Sequence, residues 1–397
     1  MPSRCLPVSS GWDMMRRQYE RGGDQVKLSV VVPCYNEEST LEKCVRRVLE
    51  IQDESLGLEI IIVDDCSTDR SLDVARDVES KWPQVRVLHQ HKNQGKGAAV
   101  ATGFNNATGD FVAVQDADLE YDPQDLKRMM VPLIEDKADV VLGSRFLSMD
   151  AHRVLYFWHS LGNYFLTALS NMFTDLNMTD MESGYKVFRR EIIHSIEIEE
   201  KRFGFEPEIV AKVAHMRPRI FEIGISYYGR TYEEGKKIGF RDGLRALYCI
   251  LKYNAPRAPW FLQFMVFFLA GGIAALVDLS LFLLFMGSGL GPVLSSFLAF
   301  APAAMLIYLL GINLVFSHKV RWTARAEVII YAIAACIAFI IDLVITGAFL
   351  VYGLSPGWAK LVGFALVLVP FFPVLRSFIF PESASGPWRP QEQSSSS

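Results

Sequence analysis

Short runs of consecutive apolar residues alternate along the first half of the chain with stretches whose apolar positions recur every three or four residues. LSVVVPCY at 28–35 reads as a buried strand closed by Pro33. Glu37–Gln52 reads as a helix with Leu41, Val45, Val48 and Leu49 on one face and Ser39 or Asn36 as its cap. LEIIIVDDCS at 58–67 predicts a second strand, 67–80 a helix, Val85–His89 a third strand, and Lys96 opens another helix. DFVAVQDADLE at 110–120 and ADVVLGSRF at 138–146 are the fourth and fifth strands. This alternation predicts an α/β domain whose mostly parallel sheet is covered on both faces. Ligands of such sheets sit at the carboxyl ends of strands. The polar clusters fall there: Asn36-Glu37, Asp64-Asp65, Asp116–Glu120 and Ser144-Arg145.

Two later stretches read as interfacial. His152–Phe173 spaces Leu155, Trp158, Leu161, Phe165, Leu169 and Phe173 like a helix, a pattern that an ordinary core helix would also give. Lys236–Arg257 interleaves Lys236, Lys237, Arg241, Arg245, Lys252 and Arg257 with apolar residues, as an anchor on anionic lipid does. Four apolar segments follow, at 261–286, 293–316, 328–352 and 358–380. Each exceeds the roughly 20 residues that cross a bilayer. Between the second and third lie His318, Lys319, Arg321 and Arg325, whereas the other two connections are nearly uncharged. The positive-inside rule predicts that this loop and both termini face the cytoplasm. Displacing the segment by 64 positions puts Asp278-Leu279 on Asp342-Leu343, Gly289-Leu290 on Gly353-Leu354 and Pro292 on Pro356. The unit is a two-span hairpin, repeated in parallel.

Composition sharpens the division. Charge is frequent up to about Arg257, yet from Phe261 to Ser317 only Asp278 carries any. The net charge of −4 averages two unlike halves, and no basic arm suggests nucleic acid. The six cysteines lack CxxC spacing, which argues against a zinc site or disulfide framework. Residues 1–25 read as a flexible leader without a signal-peptide core, and 382–397 as a disordered tail.

DADLE at 116–120 is the main chemical signal. Alternation along a strand would point Asp116, Asp118 and Glu120 to one side, a donor set for a hard divalent cation beside a diphosphate. With VVPCYNEE at 31–38, VDDCSTD at 63–69, NQGKGAA at 93–99 and GSRF at 143–146, it makes residues 26–235 resemble glycosyltransferase family 2. The resemblance implies a GT-A (nucleotide-diphospho-sugar transferase) fold, with Pro33, Tyr35, Glu37 and Asp65 at the nucleoside end and Asp116 near the nucleotide. It gives Asp118 and Glu120 the metal, Mg²⁺ or Mn²⁺. The subgroup is similar to dolichyl-phosphate mannosyltransferase and bacterial polyprenyl-phosphate glucosyltransferases, which often carry Gln where this chain has Glu120. There, residues matching Arg145 contact the acceptor phosphate, and the segment holding Arg230, Lys236 and Lys237 contacts phosphate. NQGKGAA, with Lys96, opens a helix under the nucleotide or sugar; it lacks P-loop spacing. Ser183-Gly184 would line the sugar pocket and Glu206 would hold sugar hydroxyls.

The implied reaction moves a hexose, mannose before glucose, from GDP-mannose or UDP-glucose to polyprenyl phosphate. A phosphate acceptor needs no catalytic base; Asp180 is the candidate if one is used. His89, His91 and His215 read as structural or surface residues. Residues 260–381 resemble the GtrA-like four-span module, through Gly271-Gly272, Asp278, Asn313 and Phe316. Asp278 and Asp342 are costly acids within spans, with a packing, lipid-phosphate or structural role. The expected protein is an α/β GT-A domain, a basic helix at 236–259 and an all-α domain of four transmembrane helices. It lies in the cell membrane, and a homo-oligomer is compatible with it. Two alternatives compete: a glycolipid carrier whose soluble domain only binds, and a polysaccharide synthase. The second lacks its motif, because His318 stands where Gln is needed before Arg321-Trp322.

Overall fold

β-branched runs buried on both faces build the central strands: β1 (Val26–Cys34) and β2 (Leu56–Asp64) are almost wholly enclosed. The protein, a computed structural model, is described over residues 25–147, 153–154, 156–229, 239–316 and 323–380. The leader, the tail and the loop holding His318, Arg321 and Trp322 lie outside the described residues. Two compact units, Met1–Ile250 and Leu251–Ser397, divide the chain.

In the first unit β3 (Val85–His89), β4 (Phe111–Val114) and β5 (Val140–Ser144) match the expected strands. Two strands were not expected: β6 (Lys186–Arg189) and β7 (Ile220–Gly224). The sheet order is β3-β2-β1-β4-β6-β5-β7, all parallel except β6, which runs antiparallel to both neighbours. β6 hides in sequence because it is four residues long and starts with a buried lysine, Lys186. Cys34 pairs with Asp64 and Asp64 with His89, so the carboxyl ends of β1, β2 and β3 finish flush. Gln115, the first residue past β4, still donates its N–H to the Val31 carbonyl (2.9 Å).

Helices α1 (Leu41–Leu49), α2 (Ser71–Lys81) and α3 (Lys96–Asn106) follow the first three strands. α4 (Gln124–Ile134) follows β4 and α5 (Phe157–Thr174) follows β5. α6 (Arg190–His194) and α7 (Phe205–Met216) lie between β6 and β7, and α8 (Phe240–Asn254) runs past the unit's last residue, Ile250. Neither Ser39 nor Asn36 caps α1. Thr40 takes the cap position, and Asn36, at φ 56°, instead accepts the Thr68 N–H (2.8 Å), stitching the β1 and β2 loops together.

α5 reverses the usual amphipathic rule. Asn163, Thr167 and Ser170 face inward, while Phe157, Trp158, Leu161, Tyr164 and Phe165 are exposed, Trp158 at 79%. The core-helix reading of this stretch therefore fails over most of its length: Trp158, Leu161 and Phe165 point away from the core, and Phe173 at its end is buried. In α8, Arg245 is used internally, donating to Glu200 (3.1 Å from Nε).

Among its described residues the second unit holds four helices long and apolar enough to cross a membrane. They are α9 (Trp260–Gly287), α10 (Pro292–Leu310), α11 (Ala324–Val351) and α12 (Pro356–Val374). Every start and end in the first pair recurs 64 positions later in the second. So do the π-helical turns that end each hairpin, Gly311–Val315 and Leu375–Ile379, and the left-handed glycines Gly289 (φ 90°) and Gly353 (φ 88°). The predicted parallel repeat is thus visible in the backbone.

Candidate active site

The polar clusters at the strand ends join into one network. Asp65, just past β2, accepts two backbone N–H groups, from Gln94 (2.8 Å) and Gly95 (2.6 Å), and so fixes the entry to α3. Gly95 sits at φ 99°, a conformation that favours glycine. A side chain on Gly97 would meet the Glu200 carbonyl at 2.0 Å. Lys96, held between these glycines, reaches across to Asp116 (3.0 Å) and to Glu206 at the start of α7 (3.0 Å). Burial opposes its charge, but the two carboxylates hold the ammonium well above the ordinary lysine range.

Asp116 in turn packs on the β6 loop: a Cβ on Gly184 would lie 2.7 Å from its Oδ2. Gly184 N–H donates to the Tyr121 hydroxyl (3.0 Å). Tyr121 stacks on Tyr185 (4.5 Å between centroids) and leans on Tyr227 (5.2 Å). The Tyr227 hydroxyl donates to Glu120 Oε2 (2.8 Å), and Glu120 N–H donates to Asp118 Oδ1 (3.1 Å). A continuous chain of contacts therefore links Asp65 to Asp118.

The strand alternation expected for DADLE does not apply. β4 ends at Val114, and Leu119 at φ 65° turns the chain. The turn brings the Glu120 backbone N–H onto the Asp118 carboxylate instead, while Asp116 faces Lys96. Among the described residues no group of three His, Cys, Asp or Glu side chains could hold a metal ion. Two carboxylates in one turn still fit Mg²⁺ or Mn²⁺, because hard cations that bind phosphates take one or two protein carboxylates and complete their shell with substrate oxygen and water.

Two family matches cover separate parts of the chain. The family described as "Glycosyl transferase family 2" matches residues 29–196, and that described as "GtrA/DPMS, transmembrane domain" matches residues 266–380. The chain joins a family 2 glycosyl transferase domain to a GtrA/DPMS transmembrane domain. Similar proteins include the dolichol-phosphate mannosyltransferase of Pyrococcus furiosus, 29% identical over 58% of this chain and 65% of that protein. The undecaprenyl-phosphate mannosyltransferase of Micrococcus luteus is 28% identical over 54% of this chain and 88% of its own length. Just under two thirds of the archaeal relative is thus spanned. Among solved structures, glucosyl-3-phosphoglycerate synthase from Mycobacterium tuberculosis with uridine-diphosphate aligns at TM-score 0.48 and 16% identity, covering 62% of this chain and 85% of that one.

In the glycosyl transferase domain Arg145 and Asp180 are locked together. Arg145 donates from Nε and Nη2 to the two Asp180 oxygens (2.7 Å each), and its backbone N–H adds a third bond (3.0 Å). Asn163 of α5 also donates to Asp180 (3.2 Å). Burial alone would push the Asp180 carboxyl up, but the guanidinium beside it holds it below the usual range. The Arg145 guanidinium lies over the Tyr227 ring (5.2 Å).

Pro33 is the last residue but one of β1 and Tyr35, just past the strand, is exposed, while the Glu37 N–H donates to Ser71 Oγ (2.8 Å) and its carboxylate accepts from the Thr40 hydroxyl (2.8 Å). Arg230, Lys236 and Lys237 lie outside the described residues. His89, read as a structural or surface residue, pairs with Asp64 (2.9 Å). Sequence reasoning missed the tyrosine stack, Lys186 and Glu182. Lys186 is buried and donates to the carbonyls of Met181 (3.2 Å) and Ser183, pinning the loop that carries Glu182. Burial, with Glu206 adding to it, pushes the Glu182 carboxyl up to about 7. Its Oε1 is buried without a hydrogen-bond partner. The one available signal was the acid-rich approach to a short strand.

Proposed function

We propose that the chain transfers a hexose, mannose before glucose, from a nucleotide sugar to polyprenyl phosphate at the cytoplasmic face of the cell membrane. The contact network from Asp65 through Lys96 and Asp116 to Glu120 and Asp118 carries this reading, because it gathers acids and cations at the carboxyl edge of the sheet. Relatives named for mannosyl and glucosyl transfer to polyprenyl phosphates supply the substrate class. The nucleoside would lie against Pro33, Tyr35, Glu37 and the loop that Asp65 holds. Asp118 and Glu120 would hold Mg²⁺ or Mn²⁺, whose charge offsets the charge that builds on the departing diphosphate.

A phosphate monoester, with its second pKa about 6, is mostly dianionic near neutrality. An acceptor oxygen can bond to the anomeric carbon as the bond to the diphosphate breaks, and the electron pair leaves with the nucleoside diphosphate. A single displacement of this kind inverts the anomeric centre. No base is required, which fits an Asp180 already committed to Arg145. Asp180 then serves as a positioning residue. It takes Nε and Nη2 of Arg145, so that Nη1 can meet the acceptor phosphate. The exposed aromatic face of α5 suits a lipid surface, and Asn163 on its inner side touches Asp180.

The test uses the full chain with Mg²⁺ or Mn²⁺ and labelled GDP-mannose or UDP-glucose. Label should enter the organic phase with polyprenyl phosphate and not with polyprenol. Label on polyprenol, or none with any donor, would refute the proposal. Asp180→Asn should slow transfer without removing the acid limb set by the acceptor phosphate; loss of that limb would restore Asp180 as a base.

A further inference from the structure

Within the four-span unit, Lys360 of α12 lies between two carboxylates. Its ammonium is 3.1 Å from Asp278 on α9 and 2.5 Å from Asp342 on α11. All three side chains are buried, at 0–1% exposure. Asp278 and Asp342 occupy equivalent positions in the repeat, each nine residues before its helix ends, or about 14 Å at 1.5 Å per residue. Lys360 has no such twin, because Ser296 stands at the matching position of the first hairpin. One positive charge thus serves two negative ones.

The two acids are not treated alike. Asp342 accepts a hydrogen bond from Lys360 (2.5 Å) and one from Thr346 (3.5 Å). Neither oxygen of Asp278 accepts any hydrogen bond, although Lys360 is near enough to count as an ion pair. The remaining surroundings cannot balance the charge. Lys360 also faces the rings of Phe282 (5.9 Å) and Phe300 (5.8 Å), from α9 and α10. Among the other described groups of the spans, Glu327 is engaged with Tyr308, Tyr331 with the Ala304 carbonyl and Arg376 with Gln263. A net negative charge sealed among apolar side chains is strongly unfavourable.

We propose that this cluster is a binding site for one proton, carried by Asp278 in the conformation described, so that the bundle is neutral at that depth. Protonation turns the Asp278 carboxylate, the less fully satisfied of the two, into a neutral group and leaves Lys360 to Asp342. Because the acids are related by the repeat, shifting the ammonium toward Asp278 would shift the proton to Asp342. The site therefore has two related but unequal arrangements that exchange one proton, and the hydrogen bond from Thr346 to Asp342 favours the one described.

Charge counting supplies the test. Infrared spectra of the full chain in lipid at neutral pH report protonated carboxyl groups through their C=O band. The background is Glu182→Gln, because Glu182 is itself near its midpoint there. The wild-type bundle should show one such band. Asp278→Asn and Asp342→Asn should each lose it, since one carboxylate then matches one ammonium. Lys360→Met should double it. Asp278→Asn, which resembles the protonated acid, should unfold at nearly the wild-type temperature, and Asp342→Asn at a lower one. Absence of the band in the wild-type bundle overturns the proposal. So does its loss on adding Na⁺, which would make the ligand a metal cation, or the reverse order of unfolding temperatures. Failure of Lys360→Met to fold leaves the other arms decisive.

Discussion

The two halves of the molecule contain the same constellation, one lysine between two carboxylates, in different solvents. Lys96 stands between Asp116 and Glu206, and Lys360 between Asp278 and Asp342. At the sheet edge the Lys96 and Asp116 side chains remain about one-fifth exposed, at 20% and 19%. Water, a cation or a substrate can answer the surplus negative charge there. In the bundle all three groups are sealed. The difference teaches that charge composition does not define a site; what can reach it does. On the proposed reading an accessible surplus of acid is answered by solvent or ligand, and an enclosed one by a proton.

Variants can break this contrast. The largest effect belongs to Asp118→Ala, which should lower transfer by about 100-fold or more while membrane insertion is unchanged. Radiolabel transfer and membrane extraction check it, and preserved turnover would remove the cation from the sheet edge. Next is Lys96→Met, which leaves Asp116 and Glu206 facing each other. It should cost about 3 kcal/mol in denaturant unfolding, at the low end for a broken buried pair because the site is part-exposed. Lys360→Met should cost less, because protons replace the ammonium. A larger loss at Lys360 than at Lys96 would contradict the difference between the two sites.

A smaller effect comes from Glu182. Its folded carboxyl titrates at about 7, above the ordinary value of 4.5. It therefore supports folding fully below about pH 4.5 and loses that support as pH rises through 7. Glu182→Gln should flatten the fall in melting temperature across that window; an unchanged slope would show that other groups set it. The smallest is Tyr227→Phe, which removes the hydroxyl on Glu120 and should cost about 1 kcal/mol. A weaker apparent affinity for the cation with unchanged kcat would sharpen the role of Glu120.

Much of this was legible in the sequence because the signals were local. Five strands, three of the sheet helices, four spans and the 64-residue repeat all follow from periodicity. What stayed hidden depended on chain reversal or distance. β6 was obscured by its antiparallel direction and its buried Lys186. The geometry of DADLE was misjudged because a left-handed Leu119 is not readable from an apolar residue type. The pairing of Arg145 with Asp180 joins positions 35 apart in sequence, and no spacing rule predicts it. Lys360 was the clearest overlooked signal, a base inside an apolar span.

Mn²⁺ binding by the full chain, followed by electron paramagnetic resonance with and without a nucleoside diphosphate, tests the account most directly. It predicts weak binding alone, strong tightening when the diphosphate is added, and loss of both in Asp118→Ala. Tight binding that ignores the diphosphate, or binding that survives Asp118→Ala, would contradict it.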